Sequence, residues 1–223
     1  MRALTVLCTS GLAAEAKIAR RAGFSVVVGA GDRERTKALV DTALAEARFL
    51  VSFGVAGALA SNLEPGDVVL SGEVIAPDGR WKSEETLCGR LSTLARKIGA
   101  VEGPVYGAPS ILAIRREKER AWRETGAVAV DLESDVVARA ATKAQIPFLV
   151  LRSIADTRDR NLPPAALIPL AADGTPEMLR VLANVIRRPR QIAALCALAF
   201  ETRRALAALN RPARALHALV GGV

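Results

Sequence analysis

Short apolar runs alternate with longer stretches in which apolar residues return every three or four positions. Residues 4–7, 24–28, 49–53, 127–130 and 148–151 are runs of the first kind and predict buried strands. Residues 67–70 and 73–75 predict two more, broken at Ser71-Gly72, and residues 101–106 read as extended. Residues 12–22, 33–47, 83–98, 112–124 and 132–144 carry the helical period. The alternation predicts an α/β fold whose central sheet is largely parallel and covered on both faces. The small residues Gly54 to Gly57 read as a turn ending the third strand. A loop rich in Pro, Asp and Arg spans residues 155–164. Beyond Pro176, helices are expected over 177–187 and 190–209, split at Pro189. The whole chain, 1–223, is expected to be one domain, with 176–223 as a helical extension.

Composition removes several classes of function. With 51% apolar residues the chain is not disordered, and its length can bury a sizeable core. The single histidine, His217, argues against Ser-His-Asp and Cys-His catalysis and against most His-ligated metals, so no metal site is expected. Cys8, Cys88 and Cys196 lie 80 and 108 residues apart, without a zinc or redox pair, which fits a reducing cytosol. The apolar run at 3–8 has six residues, too few for a secretory leader, and is read as the first strand. No stretch of about 18 apolar residues suggests a membrane span. The expected location is cytoplasmic, extending to the inner membrane face as a peripheral protein.

Charge is uneven. Of the net +8, residues 180–223 supply +7, from eight arginines against Glu201. A basic segment on a nearly neutral body suggests an anionic surface as partner; the plainer reading is a solvated helical face. Nucleic acid is not expected, because aromatics are 4% and no RNA or DNA module is visible. A basic nucleic-acid-binding protein is kept as the non-enzymatic alternative.

Three places carry candidate chemistry. Gly29-Ala30-Gly31 follows a strand but lacks the third glycine of a dinucleotide fingerprint, with Glu34 in its place. Ala56-Gly57 closes a strand on small residues whose N–H groups can face a ligand. Ala129–Ser134 and Val150–Asp156 are two strand ends joined by one helix, which the crossover rule makes parallel. Glu133 and Asp156 would then share the carboxyl edge of the sheet, where ligands of such folds bind. Paired carboxylates suit acid-assisted glycosidic chemistry. The plainer reading is a helix-terminal charge and a loop cap.

These segments, VSFGVAGALASNLEPGDVVL, AVDLES and QIPFLVLRSIADT, resemble the purine nucleoside phosphorylase and methylthioadenosine/adenosylhomocysteine nucleosidase superfamily over about residues 1–160. The Asp-Leu-Glu-Ser variant and the arginine-rich tail are similar to its hopanoid-associated branch, which removes adenine from adenosylhopane. The resemblance implies a phosphorylase/hydrolase-like three-layer fold and cleavage of a purine N-glycosidic bond. The family's own alternatives are methylthioadenosine/adenosylhomocysteine hydrolysis and nucleoside phosphorolysis. It implies that Asp156 protonates the leaving purine, kept protonated by burial against Arg152 and Arg158. Glu133 would bind ribose hydroxyls and Glu15 would activate water. Arg152 would lie near the ribose, with Ala56, Gly57, Ser110, Ile111 and Leu132 around the substrate. Val55 stands where the family has a small hydroxyl residue. Thr9, Ser10 and Arg33 would hold phosphate or water. No cofactor is implied beyond inorganic phosphate as a co-substrate, and water or phosphate is left open as nucleophile. The partners implied are a purine nucleoside or adenosyl-lipid, an anionic membrane surface and a second copy of the chain, a dimer before larger assemblies.

Overall fold

The structure is a computed structural model that describes residues 5–221, apart from the side chains of 85–88. Leu4 of the first expected strand and the Cys88 side chain lie outside the described residues. The strands are β1 (Thr5–Ser10), β2 (Ser25–Val28), β3 (Ala47–Ala58), β4 (Val68–Ser71), β5 (Glu73–Ala76), β6 (Gly79–Lys82), β7 (Val101–Glu102), β8 (Val105–Gly107), β9 (Ala129–Asp131) and β10 (Phe148–Asp156). The helices are α1 (Ala13–Ala22), α2 (Arg33–Ala43), α3 (Glu85–Ile98), α4 (Arg115–Thr125), α5 (Ser134–Ala144), α6 (Met178–Arg187), α7 (Ile192–Ala208) and α8 (Asn210–Gly221). One mixed sheet runs β6-β5-β8-β9-β3-β10-β4-β7, with β1 on β3 and β2 on β1.

Side chains alternate across β3 and β10, so both faces are apolar. Phe49, Val51, Phe53, Leu149 and Leu151 meet α1, α3, α7 and α8 on one side. Leu50, Phe148, Val150 and Ile154 meet the α2 and α5 layer on the other, through Val40, Val137 and Ala141. Each Phe or Leu buried this way contributes about 1.5–3 kcal/mol. This is the expected three-layer, largely parallel arrangement, with antiparallel pairs at β10–β4, β3–β9 and β5–β6.

Two expectations are corrected, and two elements are new. Gly54 to Gly57 is not a turn: β3 continues to Ala58 because β10 stays paired with it through Gly57. β9 and β10 are not parallel, since β9 runs antiparallel to β3 and β10 parallel to it. β9 meets β3 only at Gly57 and Ala58, the far end of a long strand whose earlier residues pair with β1. The hairpin strand β6 was not foreseen. Nor was α8, which puts Ala213, Leu216 and Val220 into the core and sets His217 edge-on to Phe24, ring centroids 5.0 Å apart. The lone histidine is thus a packing residue above Gly23, where a Cβ would lie 2.7 Å from its ring.

Candidate active site

The site forms where one edge of β3 changes partner. β1 leaves that edge at Ser52 and β9 joins it at Gly57. In the gap, the Val55 N–H donates to Glu15 Oε1 at 2.7 Å. The other Glu15 oxygen accepts from the Gly11 and Leu12 N–H groups at 2.9 and 2.8 Å, closing the N-terminus of α1. Glu15 is 2% exposed, so it is not the solvated first-turn charge that its position in α1 suggests. Burial pushes its carboxyl above the ordinary range, against the Arg152 cation and the three N–H donors. Gly54, at φ 153°, makes room for it: a Cβ there would lie 2.5 Å from the carboxylate.

Glu133 enters from the turn between β9 and α5. Its Oε1 accepts from the Gly31 N–H at 3.0 Å and from Thr36 Oγ1 at 3.3 Å. Gly29 is required by the same approach, because a Cβ there would lie 2.6 Å from that oxygen. The Gly29-Ala30-Gly31 loop therefore cradles a carboxylate of this chain. Burial pushes Glu133 up to about 7, opposed by Arg152 and assisted by Glu15. Arg152 is itself buried; its Nη2 donates to Ser52 Oγ at 2.7 Å, and its Nε lies 2.8 Å from Asp131 Oδ2. Asp131 organises the turn, its Oδ1 accepting from the Glu133 and Ser134 N–H groups at 3.0 and 2.8 Å.

Asp156 ends β10 beside a small cavity of about 80 Å³. Gly57, Ser110, Ile111, Leu132, Asp131 and Leu162 share its wall. The buried Lys118 of α4 donates to Asp156 Oδ2, to the Thr157 carbonyl at 2.9 Å and to the Arg160 carbonyl at 3.1 Å. Burial raises the Asp156 pKa and Lys118 opposes the rise, followed by Arg160. The cations expected to oppose it point elsewhere, Arg152 to Asp131 and Arg158 over the Trp122 ring. A larger groove of about 500 Å³ along α4, between Ile114 and Glu124, holds none of the expected residues.

Five of the expected residues thus share one cavity: Asp156, Gly57, Ser110, Ile111 and Leu132. Glu15, Glu133 and Arg152 form an adjoining polar cluster, linked to it by Asp131. Ala56 is buried in β3 opposite Ile154. Thr9 Oγ1, on β1, is buried without a hydrogen-bond partner among the described residues, and Ser10 is buried next to it. Arg33 does not reach out as a phosphate ligand. Its Nη1 and Nη2 hold the buried Asp135 at 2.6 and 2.5 Å, and Nη1 also donates to the Ala108 and Leu132 carbonyls. The fork fits a carboxylate well, so this half-buried cation is committed to Asp135.

A family model described as the phosphorylase superfamily matches residues 24–195. The chain belongs to the phosphorylase superfamily. A 5′-methylthioadenosine/S-adenosylhomocysteine nucleosidase of Haemophilus ducreyi is 26% identical over 169 residues, 63% of this chain and 70% of the relative. The nucleosidase of that name from Neisseria meningitidis, solved with methylthio-immucillin-A, superposes with a TM-score of 0.70 at 16% identity over 99% and 100% of the two chains. Futalosine hydrolase of Helicobacter pylori gives 0.63 at 16% identity over 99% of each. The fold of this superfamily member is therefore that of the nucleosidases.

Lys118, Asp131 and Asp135 were missed by the sequence reading. Lys118 sits in Arg-Arg-Glu-Lys-Glu-Arg, where every position reads as solvated. Its spacing from Ala121, three residues on and also buried, is the one signal that it faces inward. Asp131 directly precedes Leu132-Glu133-Ser134, an arrangement suited to capping a helix start.

Proposed function

We propose that this chain is a purine nucleosidase that hydrolyses the C1′–N9 bond of a 5′-substituted adenosine. The observation that carries this reading is the placement of two buried carboxyl groups in different surroundings. Asp156 lines a cavity with its Oδ1 free of hydrogen bonds among the described residues, while Glu133 adjoins Arg152 and Glu15. A protonated Asp156 gives its proton to purine N7 as the C1′–N9 electron pair leaves with the base. Such acid assistance is worth about 10²–10⁴-fold. Glu133 accepts hydrogen bonds from the ribose hydroxyls and faces the positive charge developing at C1′. Water adds to C1′ and passes its proton to Glu15. Water is favoured over phosphate because Arg33 is held by Asp135 and Arg152 by Asp131.

For the 5′ substituent, we favour a lipid, as in adenosylhopane. The Asp-Leu-Glu-Ser motif and an exposed apolar face on α6 support it. A second reading, cleavage of methylthioadenosine or adenosylhomocysteine, is favoured by the Haemophilus relative. Adenine release from adenosylhopane and from methylthioadenosine, with and without phosphate, decides between them. Release from neither substrate would reject the nucleosidase reading. Much faster turnover of methylthioadenosine would reject the lipid, and dependence on phosphate would reject hydrolysis.

A further inference from the structure

Helix α6 has no buried residue, although most of its side chains are apolar. Met178, Leu179, Leu182 and Ile186 are 67, 84, 56 and 71% exposed. Helical geometry places these four within one stripe about 100° wide, with Arg180 and Arg187 beyond its edge. The helix is held in this attitude. On its other side the Asn184 carbonyl and Oδ1 accept from Gln191 Nε2 at 3.1 and 2.8 Å, and Gln191 Oε1 accepts from the Ala165 N–H at 2.9 Å. Arg187, Arg188 and Arg190 follow at once, all exposed and none in a salt bridge among the described residues. Neighbouring arginines are paired, Arg180 with Glu177 and Arg160 with Glu201, each at 2.7 Å.

We propose that the α6 stripe and the arginine turn after it form a docking surface for an anionic lipid bilayer. Aliphatic side chains at the acyl boundary with arginines on lipid phosphates are what a basic amphipathic helix offers a membrane. A second copy of the chain fits less well, because the acid at this face, Glu177, is already paired with Arg180 and leaves the three arginines no anionic partner across a two-fold contact. A nucleic acid leaves the aliphatic stripe without a partner, since base stacking needs aromatic rings. The position suits a substrate drawn from a bilayer, and that purpose rests on the nucleosidase reading above. From Asp156 the chain passes the cavity at Leu162 and returns at Gly174, whose carbonyl accepts from the Ala13 N–H at 3.1 Å beside the Glu15 loop. α6 begins four residues later.

The full chain is sedimented with phosphatidylglycerol–phosphatidylcholine vesicles and with phosphatidylcholine vesicles alone, a readout independent of catalysis. The native chain is expected to prefer the anionic vesicles by more than tenfold. Replacing Arg187, Arg188 and Arg190 together with Gln is expected to lower that partitioning by about a hundredfold. Leu182→Glu with Ile186→Glu is expected to abolish it. Unchanged circular dichroism melting shows that the variants are folded. Absence of binding by the native chain, or binding that neither variant weakens, overturns the proposal. So does a native dimer that the double Glu variant splits while the native chain ignores vesicles, which would assign the face to a second copy. Vesicle binding without adenine release would leave the surface standing and reject only the nucleosidase reading.

Discussion

Lys118 donates to Asp156 inside the protein and gives its other two protons to the Thr157 and Arg160 carbonyls. One ammonium thus ties α4 to the end of β10 and sets the charge environment of the expected proton donor. It borders the same cavity, but its three protons are taken up by Asp156 and the two carbonyls, which makes it a positioning residue for Asp156. Removing the cation leaves burial opposed by the weaker Arg160 effect, so Asp156 should hold its proton to higher pH. Lys118→Met is expected to move the alkaline limb of the kcat profile upward. A limb that stays in place would show that Lys118 is structural only.

Asp156→Asn is expected to lower adenine release by about 10²–10⁴-fold. The variant is also expected to be less stable than the native chain. At pH values where Asp156 is ionised, the variant breaks its buried ion pair with Lys118 from one side, which costs about 3–5 kcal/mol because the remaining charge is uncompensated. For a chain of this size the melting temperature should fall by at least about 6 °C. Combining it with Lys118→Met should restore part of the loss, as calorimetry of the double variant would reveal.

Glu133 is held at about 7 against an ordinary value of 4.5. The folded state therefore keeps a proton that the unfolded chain releases as pH rises above about 4.5. Its contribution to stability is fully present below that value and is lost as pH rises through about 7. Glu133→Gln keeps an acceptor for the Gly31 N–H and removes the titration. The variant is expected to match the native chain near pH 4 and to exceed it by up to about 3 kcal/mol at pH 8. Denaturant unfolding at the two pH values checks this. Adenine release should fall at both.

Gly54→Ala introduces a Cβ about 2.5 Å from the Glu15 carboxylate at a backbone φ of 153°. The carboxylate must move and its bond from the Val55 N–H must lengthen. A loss of about 1–3 kcal/mol in stability is expected, with at least a tenfold drop in kcat. An unaltered kcat in a folded variant would remove Glu15 from the water-activating role.

Arg33 separates a structural from a phosphate-binding part in one variant. Arg33→Lys keeps the charge but not the fork that holds Asp135. The variant is expected to melt lower than the native chain while its adenine release stays insensitive to phosphate. A rise in the phosphate concentration needed for turnover would instead make Arg33 a phosphate ligand.

What the sequence determined by itself was whatever depends on local period and composition. Apolar runs such as 148–151 and helical periods such as 132–144 specify a covered sheet, because a two-sided apolar strand has to be buried on both faces. The motifs around Gly57, Glu133 and Asp156 marked the residues that converge. Tertiary structure decided the rest. Whether Gly54–Gly57 bends or continues depends on β10, a partner about 100 residues away, and the direction of β9 depends on which end of β3 it reaches. The inward side of α4 is marked in the sequence only by Ala121 within a densely charged helix, so Lys118 stayed hidden until Asp156 stood opposite it. Arg33 looked free for phosphate until Asp135, more than 100 residues on, closed on it. Charge pairing is a contact between distant residues, and only the folded chain decides which partner each charge receives.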